Sequence, residues 1–310
     1  MDSKEIRDIR LKAEISVAEL VSQMSNAGFQ GTELGKAVEV VKRMKKEKTT
    51  VFLCFTANMV ASGLRGLFAD LTRVRFIDVI ITTGGAIDHD LIKAYKHYEI
   101  GSFDLDDREL HKAGINRLGN ILISNDRYEL LEQLVQPIFL HIMKEESTIS
   151  PSELCRKIGL SIKDEGSFLY WASRNEIPVF CPGITDSAIG LQAFFFKQDN
   201  PDFKIDVTAD MKQLADIVFE AEKTGAMILG GGIAKHYTIG ANLLRGGLDY
   251  AIYITTAVHW DGSLSGARTR EAISWGKIKE MASHVTVYGD AVIIFPLIMA
   301  KVLSDLGIRL

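Results

Sequence analysis

Lys277 stands directly behind Trp275 and Gly276 in EAISWGKIKE (residues 271–280), a stretch whose pattern otherwise predicts an amphipathic helix. An amine beside a flat apolar wall is desolvated, which lowers its pKa and leaves more free nucleophile near neutral pH. The same ring face could hold a cationic ligand. Gly276 breaks the helical preference just before the lysine. Glu271, six positions earlier, is not stacked over Lys277 by helical spacing. The competing reading is a solvated helix lysine next to a core tryptophan.

Other residues with chemical potential follow apolar runs. TTGGAID (82–88) and LGGGIAKH (229–236) place glycines after a strand, where a phosphate or ribose can approach the backbone and a helix start offers free N–H groups. Neither completes G-x-G-x-x-G, and tight turns would use the same glycines. Between Asp261 and Gly266, Ser263 and Ser265 fit a loop over a ligand. Asp186, in PGITDSAIG, could accept from a ribose or cap the next helix. His236 lies just beyond the triple glycine, His259 at a strand exit, and His89 with Asp90 beyond TTGGAID. No H-E-x-x-H or similar ligand set occurs, so no metal is expected.

These positions need a scaffold. VFLCF (51–55), FIDVIITTGG (76–85), IPVFCPG (177–183), AMILGGG (226–232) and YAIYITTA (250–257) read as buried strands, and VTVYGDAVIIFP (285–296) as a strand followed by an apolar stretch. Helical patterns cover 13–24, 33–44, 59–71, 89–95 and 127–143, with a turn over 26–31 and a long connection over 115–126. A helix should start at Ser150–Pro151, and another should be closed by Gly225. The alternation predicts an α/β fold with a mostly parallel, doubly wound, Rossmann-like sheet. With six prolines and no repeat or low-complexity linker, residues 1–310 read as a single domain with a short helical N-terminal segment.

The 310 residues carry a net charge of −4, which argues against non-specific nucleic-acid binding. The three cysteines, Cys54, Cys155 and Cys181, show no C-x-x-C spacing. The charged start MDSKEIRDIRLK is unlike a signal peptide, and no apolar run reaches membrane-spanning length. A soluble, cytoplasmic protein is expected, with neither nucleic acid nor membrane as partner.

GGGIAKH, LDYAIYITTA, DGSLSGAR, EAISWGKI and YGDA resemble deoxyhypusine synthase, as do NMVASG (58–63), IITTGG (80–85) and GINRLGNILISND (114–126). The resemblance implies a homotetramer with NAD at subunit interfaces. It also implies a reaction in which the aminobutyl group of spermidine, a polyamine, passes through an imine on an enzyme lysine to a lysine of a translation factor. The nucleophile falls on Lys277, with pocket residues His236, Trp275 and Glu271. NAD-contacting positions fall on Asn58, Thr83, Gly85, Asp186, Gly231, Thr256, Ala257, Ser263, Asp290 and Ala291. Glu271 can hold an ammonium end through a charge-assisted bond.

The amine pocket departs from the family pattern. Leu264 and Leu191 stand where known members place aspartates, Gly240 an asparagine and His89 a glutamate. Fewer carboxylates should neutralise fewer cationic centres, unless Asp88 or Asp261 substitutes for them. The alternatives are a homospermidine synthase-like transferase, another polyamine- or agmatine-using enzyme, and a non-catalytic NAD-binding homologue.

Overall fold

Unbroken apolar runs make the central strands, because strands of a parallel sheet are covered on both faces. The computed structural model describes residues 5–310; the first four residues of the charged N-terminal stretch lie outside them. α1 (Val17–Met24) starts at Ser16, whose hydroxyl accepts from the Glu19 N–H. α2 (Phe29–Lys46) absorbs half of the turn expected over 26–31. After β1 (Thr50–Phe55), the helix expected over 59–71 is two helices, α3 (Ala57–Ala61) and α4 (Leu64–Arg73), parted at Ser62–Gly63. β2 (Val79–Ile81) is shorter than its apolar run because α5 (Gly84–Lys93) takes over at the glycine pair.

After β3 (Glu99–Ile100) and α6 (Asp107–Lys112), the stretch expected to be a connection contains a hairpin. β4 (Ile115–Leu118) and β5 (Ile121–Ser124) pair antiparallel, with Leu118 opposite Ile121 and Gly119 turning at φ +63°. α7 (Asp126–Glu145) and β6 (Thr148–Ile149) follow, then α8 (Pro151–Ser161), whose Ser150 hydroxyl accepts from the Glu153 N–H as the sequence predicts. Next come α9 (Phe168–Arg174), β7 (Val179–Phe180), α10 (Ala188–Asp199), β8 (Lys204–Ile205) and α11 (Ala209–Glu220). Gly225 does not close α11; it lies inside β9 (Thr224–Leu229). α12 (Gly232–Asn242), β10 (Leu248–Thr255), α13 (Glu271–Ser274), β11 (Ile278–Tyr288) and α14 (Ala291–Leu306) complete the chain.

The chain divides into two units. The first gathers the segment up to Phe55, Phe76–Asp78 and Leu214–Leu310. Its strands run parallel in the order β11-β10-β9-β1. Residues 51–55, 226–229, 251, 252 and 254 are at most 1% exposed, so these strands are core on both faces. α2 packs on β10 and β11, and α12 on β1 and β9. Leu229 pairs with Ile254, and Thr255 with Tyr288, so the carboxyl ends of β9, β10 and β11 lie side by side. Ligands of open α/β sheets bind beyond such ends.

The second unit holds Thr56–Arg75 and Val79–Gln213. β2 and β7 run parallel with Ile81 opposite Phe180, and β3 joins the hairpin through β5. A buried ion pair ties its helices together. Arg65 Nε donates to Asp90 Oδ1 at 2.6 Å, while Asp90 Oδ2 accepts from the Ser167 hydroxyl at 2.6 Å and the Leu169 N–H at 3.0 Å. Both units are α/β, with parallel and antiparallel pairing mixed in the second. Among the described residues no helix is long and apolar enough to cross a membrane.

Candidate active site

Lys277 is not on a helix. α13 ends at Ser274, and Gly276 turns the chain at φ +66°, a conformation that favours glycine. That turn is why a glycine precedes the lysine. The Lys277 N–H donates to Ala272 O at 3.0 Å, and its carbonyl accepts from the Leu248 N–H at 3.0 Å. The backbone is thereby fixed while the side chain projects. Its Nζ lies 3.2 Å from His236 Nε2 and 5.2 Å from the Trp275 ring centroid. Trp275 is 65% exposed, so it is neither core nor an enclosing wall in this chain. Glu271 is the exposed first residue of α13.

Around the carboxyl ends of β9, β10 and β11 the fit is tight. A Cβ on Gly231 would stand 2.1 Å from Ser265 Oγ and 2.5 Å from Ser265 Cα, so the serine loop rests directly on that glycine. Gly232, at φ +69°, has nothing within 4 Å of where its Cβ would be. In the loop, Ser263 Oγ accepts from the Gly266 N–H at 3.2 Å. The exposed Asp261 accepts from the Ser263 N–H at 2.6 Å, and bonds from Ser263 hold its carboxyl below the usual range. Thr256 and Ala257 follow β10, where the Ala257 N–H donates to Thr255 Oγ1 at 3.1 Å. Asp290 caps α14 through the Val292 N–H at 2.9 Å, and Ala291 opens that helix, buried.

The second unit brings Asn58, Thr83 and Gly85 together. Thr83 Oγ1 accepts from the Ala57 N–H at 3.1 Å, and a Cβ on Gly85 would stand 2.9 Å from Ala57 Cβ. Asn58 Oδ1 accepts from the Thr56 hydroxyl at 2.5 Å. A Cβ on Gly84 would stand 2.4 Å from Ser187 Cβ, which sets the residue after Asp186 against the start of α5. Asp186 does not cap α10; Ser187 does, accepting from the Gly190 N–H at 2.9 Å. The Asp186 carboxylate is left exposed.

A model of the family described as deoxyhypusine synthase matches residues 19–302. The chain belongs to the deoxyhypusine synthase family. It is 44% identical over 303 residues to "Probable deoxyhypusine synthase" of Thermoplasma acidophilum, covering 97% of this chain and 98% of that one. A relative of the same description from Pyrococcus furiosus is 45% identical over 306 residues, covering 93% and 91%. A solved structure from Entamoeba histolytica, described as a "putative deoxyhypusine synthase", superposes with a TM-score of 0.72 at 26% identity, covering 96% of this chain and 97% of that one. The complex of AgrE with ornithine and NAD+ shares the fold at a TM-score of 0.56 and 12% identity; it matches 98% of this chain but 35% of that one. The α/β, Rossmann-like architecture is therefore a family property.

The positions expected to depart from the family's amine pocket have these surroundings. Leu191 on α10 is 51% exposed, and Gly240 on α12 faces open space. His89 is buried, with Nδ1 2.8 Å from the Tyr98 hydroxyl; burial, then Lys93, pushes its imidazole down to about 4. The buried Asp88 accepts from the Ala188 and Ile189 N–H groups at 2.8 and 3.0 Å. Burial pushes its carboxyl up to about 6 against those two bonds. Its oxygens thus serve the first turn of α10.

The sequence reading passed over Lys235. It is 1% exposed, and its Nζ donates to the carbonyls of Leu264 at 2.7 Å and Ala267 at 2.8 Å. The signal was present, because Ala234, Lys235, Thr238, Ile239 and Asn242 share one helical face and all are buried. The first turns of α5 and α12 suit a phosphate-bearing cofactor. Neither Thr83 nor Gly231 caps them with a side chain, the arrangement in which a helix start can receive anionic oxygens. Among the described residues no three His, Cys, Asp or Glu side chains gather as metal ligands would.

Proposed function

We propose that this protein is an NAD-dependent aminoalkyl transferase that moves the aminobutyl group of spermidine through an imine on Lys277 to a lysine of a translation factor. Family membership supports the coarse reading of an NAD-using transferase. The observation that carries the finer one is the Lys277 amine 3.2 Å from His236 Nε2, on a backbone fixed where β10 and β11 begin.

When bound, NAD would supply hydride abstraction and return at the carbon next to the secondary amine. By the resemblance, the residues that would hold it are Asn58, Thr83, Gly85, Asp186, Gly231, Thr256, Ala257, Ser263, Asp290 and Ala291. Lys277 attacks the resulting imine carbon, the three-carbon diamine leaves, and the carbon stays as an imine of Lys277. The acceptor amine then displaces Lys277. His236 takes and returns the Lys277 proton. Trp275 and Glu271 receive the amine's cationic portions.

The pocket departures favour a second reading, in which a guanidinium-bearing amine such as agmatine is the donor. Its spread charge and flat face suit Trp275 and need fewer carboxylates. Leu191 and Leu264 supply none, and Asp88 is committed to α10. Spermidine, homospermidine, putrescine and agmatine, each supplied with NAD, with and without the protein acceptor, separate these readings. Under the first, spermidine leads in kcat/KM by at least about tenfold and product forms only with the protein acceptor. An agmatine lead establishes the second. Release of a free polyamine product without the protein acceptor points to a small-amine acceptor, and net accumulation of NADH to a dehydrogenase.

The resemblance also supports a cytoplasmic homotetramer. In the first unit, Phe29 is 97% and Met281 95% exposed, two separate apolar side chains that association of copies would cover. Sedimentation at micromolar concentration should give the mass of four chains. A monomer that binds NAD stoichiometrically would refute the assembly.

A further inference from the structure

Lys235 is a buried cation, and among the described residues no carboxylate bonds its head. Its Nζ sits 4.1 Å from the Tyr253 ring centroid and between two loop carbonyls. Other titratable groups face it from the packed elements: Cys54 on β1, whose thiol burial pushes up to about 12, the Tyr253 phenol on β10, also pushed up, and Glu271 on α13. Burying an ammonium without a counter-charge opposes folding. A methionine or leucine of similar length would fill the same space without that opposition.

The two carbonyls belong to the loop that lies on Gly231. Leu264 and Ala267 flank Ser265, whose Cα and Oγ occupy the space above the glycine. One lysine therefore grips the loop on both sides of its contact with the strand end.

We propose that Lys235 is a positioning residue whose ammonium latches the serine loop 261–267 onto Gly231, fixing the wall of the cofactor site. The assignment of that wall rests on the function proposed above; the latch itself does not. Lys235 holds the loop at the expense of fold stability. Burial pushes its ammonium down to about 8 from 10.5, so between those values the native state binds fewer protons than the unfolded chain. Its share of stability accordingly rises with pH across that window.

The test is Lys235→Met in the full chain. Hydrogen exchange at the Gly266 and Ala267 amides should quicken about tenfold while β9 and β10 keep their protection. Tm at pH 7 should stay level or rise, and the increase of stability between pH 8 and 10 should flatten. The KM for NAD should increase about tenfold with kcat changed less than about threefold. Unchanged exchange at Gly266 and Ala267 in the folded variant overturns the latch. Faster exchange with an unchanged KM upholds the latch and removes the loop from the cofactor site. Should the variant not fold, the wild type decides: acetylation of Lys235 and exchange at Gly266 should accelerate in step under sub-denaturing urea. Exchange without acetylation overturns the proposal.

Discussion

Borohydride added during turnover with NAD and the donor amine should leave a covalent adduct on the peptide containing Lys277. Lys277→Arg should form none and lose roughly 10³-fold or more in activity while binding NAD with unchanged affinity. A guanidinium keeps the charge and bulk but cannot act as the amine nucleophile at neutral pH. The neighbouring lysines are poor substitutes. Lys235 is buried and grips two carbonyls, and Lys279 Nζ donates to Asp249 Oδ1 at 2.6 Å. An adduct mapped to either would sink the assignment. His236→Gln should weaken the transfer less, by roughly 10²-fold, since it acts on the proton.

Asp90→Ala should be among the most destabilising single changes in the chain. Asp90 is 0% and Arg65 9% exposed, and the carboxylate also accepts from Ser167 and Leu169. Removing it leaves a buried guanidinium and two donors short of an acceptor. Two partners of Arg65 remain, Asp164 at 2.8 Å and the backbone carbonyl of Asp90 at 3.2 Å, and offset part of this. The expected cost is about 3 kcal/mol, read as a lower urea midpoint at constant slope. A loss below about 1 kcal/mol would mean that Arg65 is satisfied without Asp90. Combining Arg65→Met with Asp90→Leu should recover much of the loss, because neither charge is then stranded.

The strand exits were the most legible part of the molecule. Val51–Phe55 and Tyr250–Thr255 are apolar without alternation, and such runs ending in Gly or Thr mark parallel strands and their carboxyl ends. The hairpin over 115–124 carried its own signal, INRL and ILIS parted by Gly-Asn, which outweighs the reading of a connection. Around Lys277, four helical residues followed by a strand imitate one amphipathic helix; the positive φ of Gly276 separates them, and periodicity cannot see it. The role of Lys235 was hidden because its partners are backbone carbonyls 29 and 32 residues away, which no side-chain pattern reports. Likewise the commitment of Asp88 to α10 depends on N–H groups 100 and 101 positions downstream.

The fixed backbone of Lys277 has a mechanical consequence. With its N–H held by Ala272 and its carbonyl by Leu248, the Cα is a pivot and the four-carbon side chain an arm. A group bonded to Nζ would swing on a radius of about 6 Å instead of diffusing. Donor and acceptor amines would then need only to reach the same arc in turn, and the enzyme could hand over its cargo without rearranging the sheet that carries the pivot.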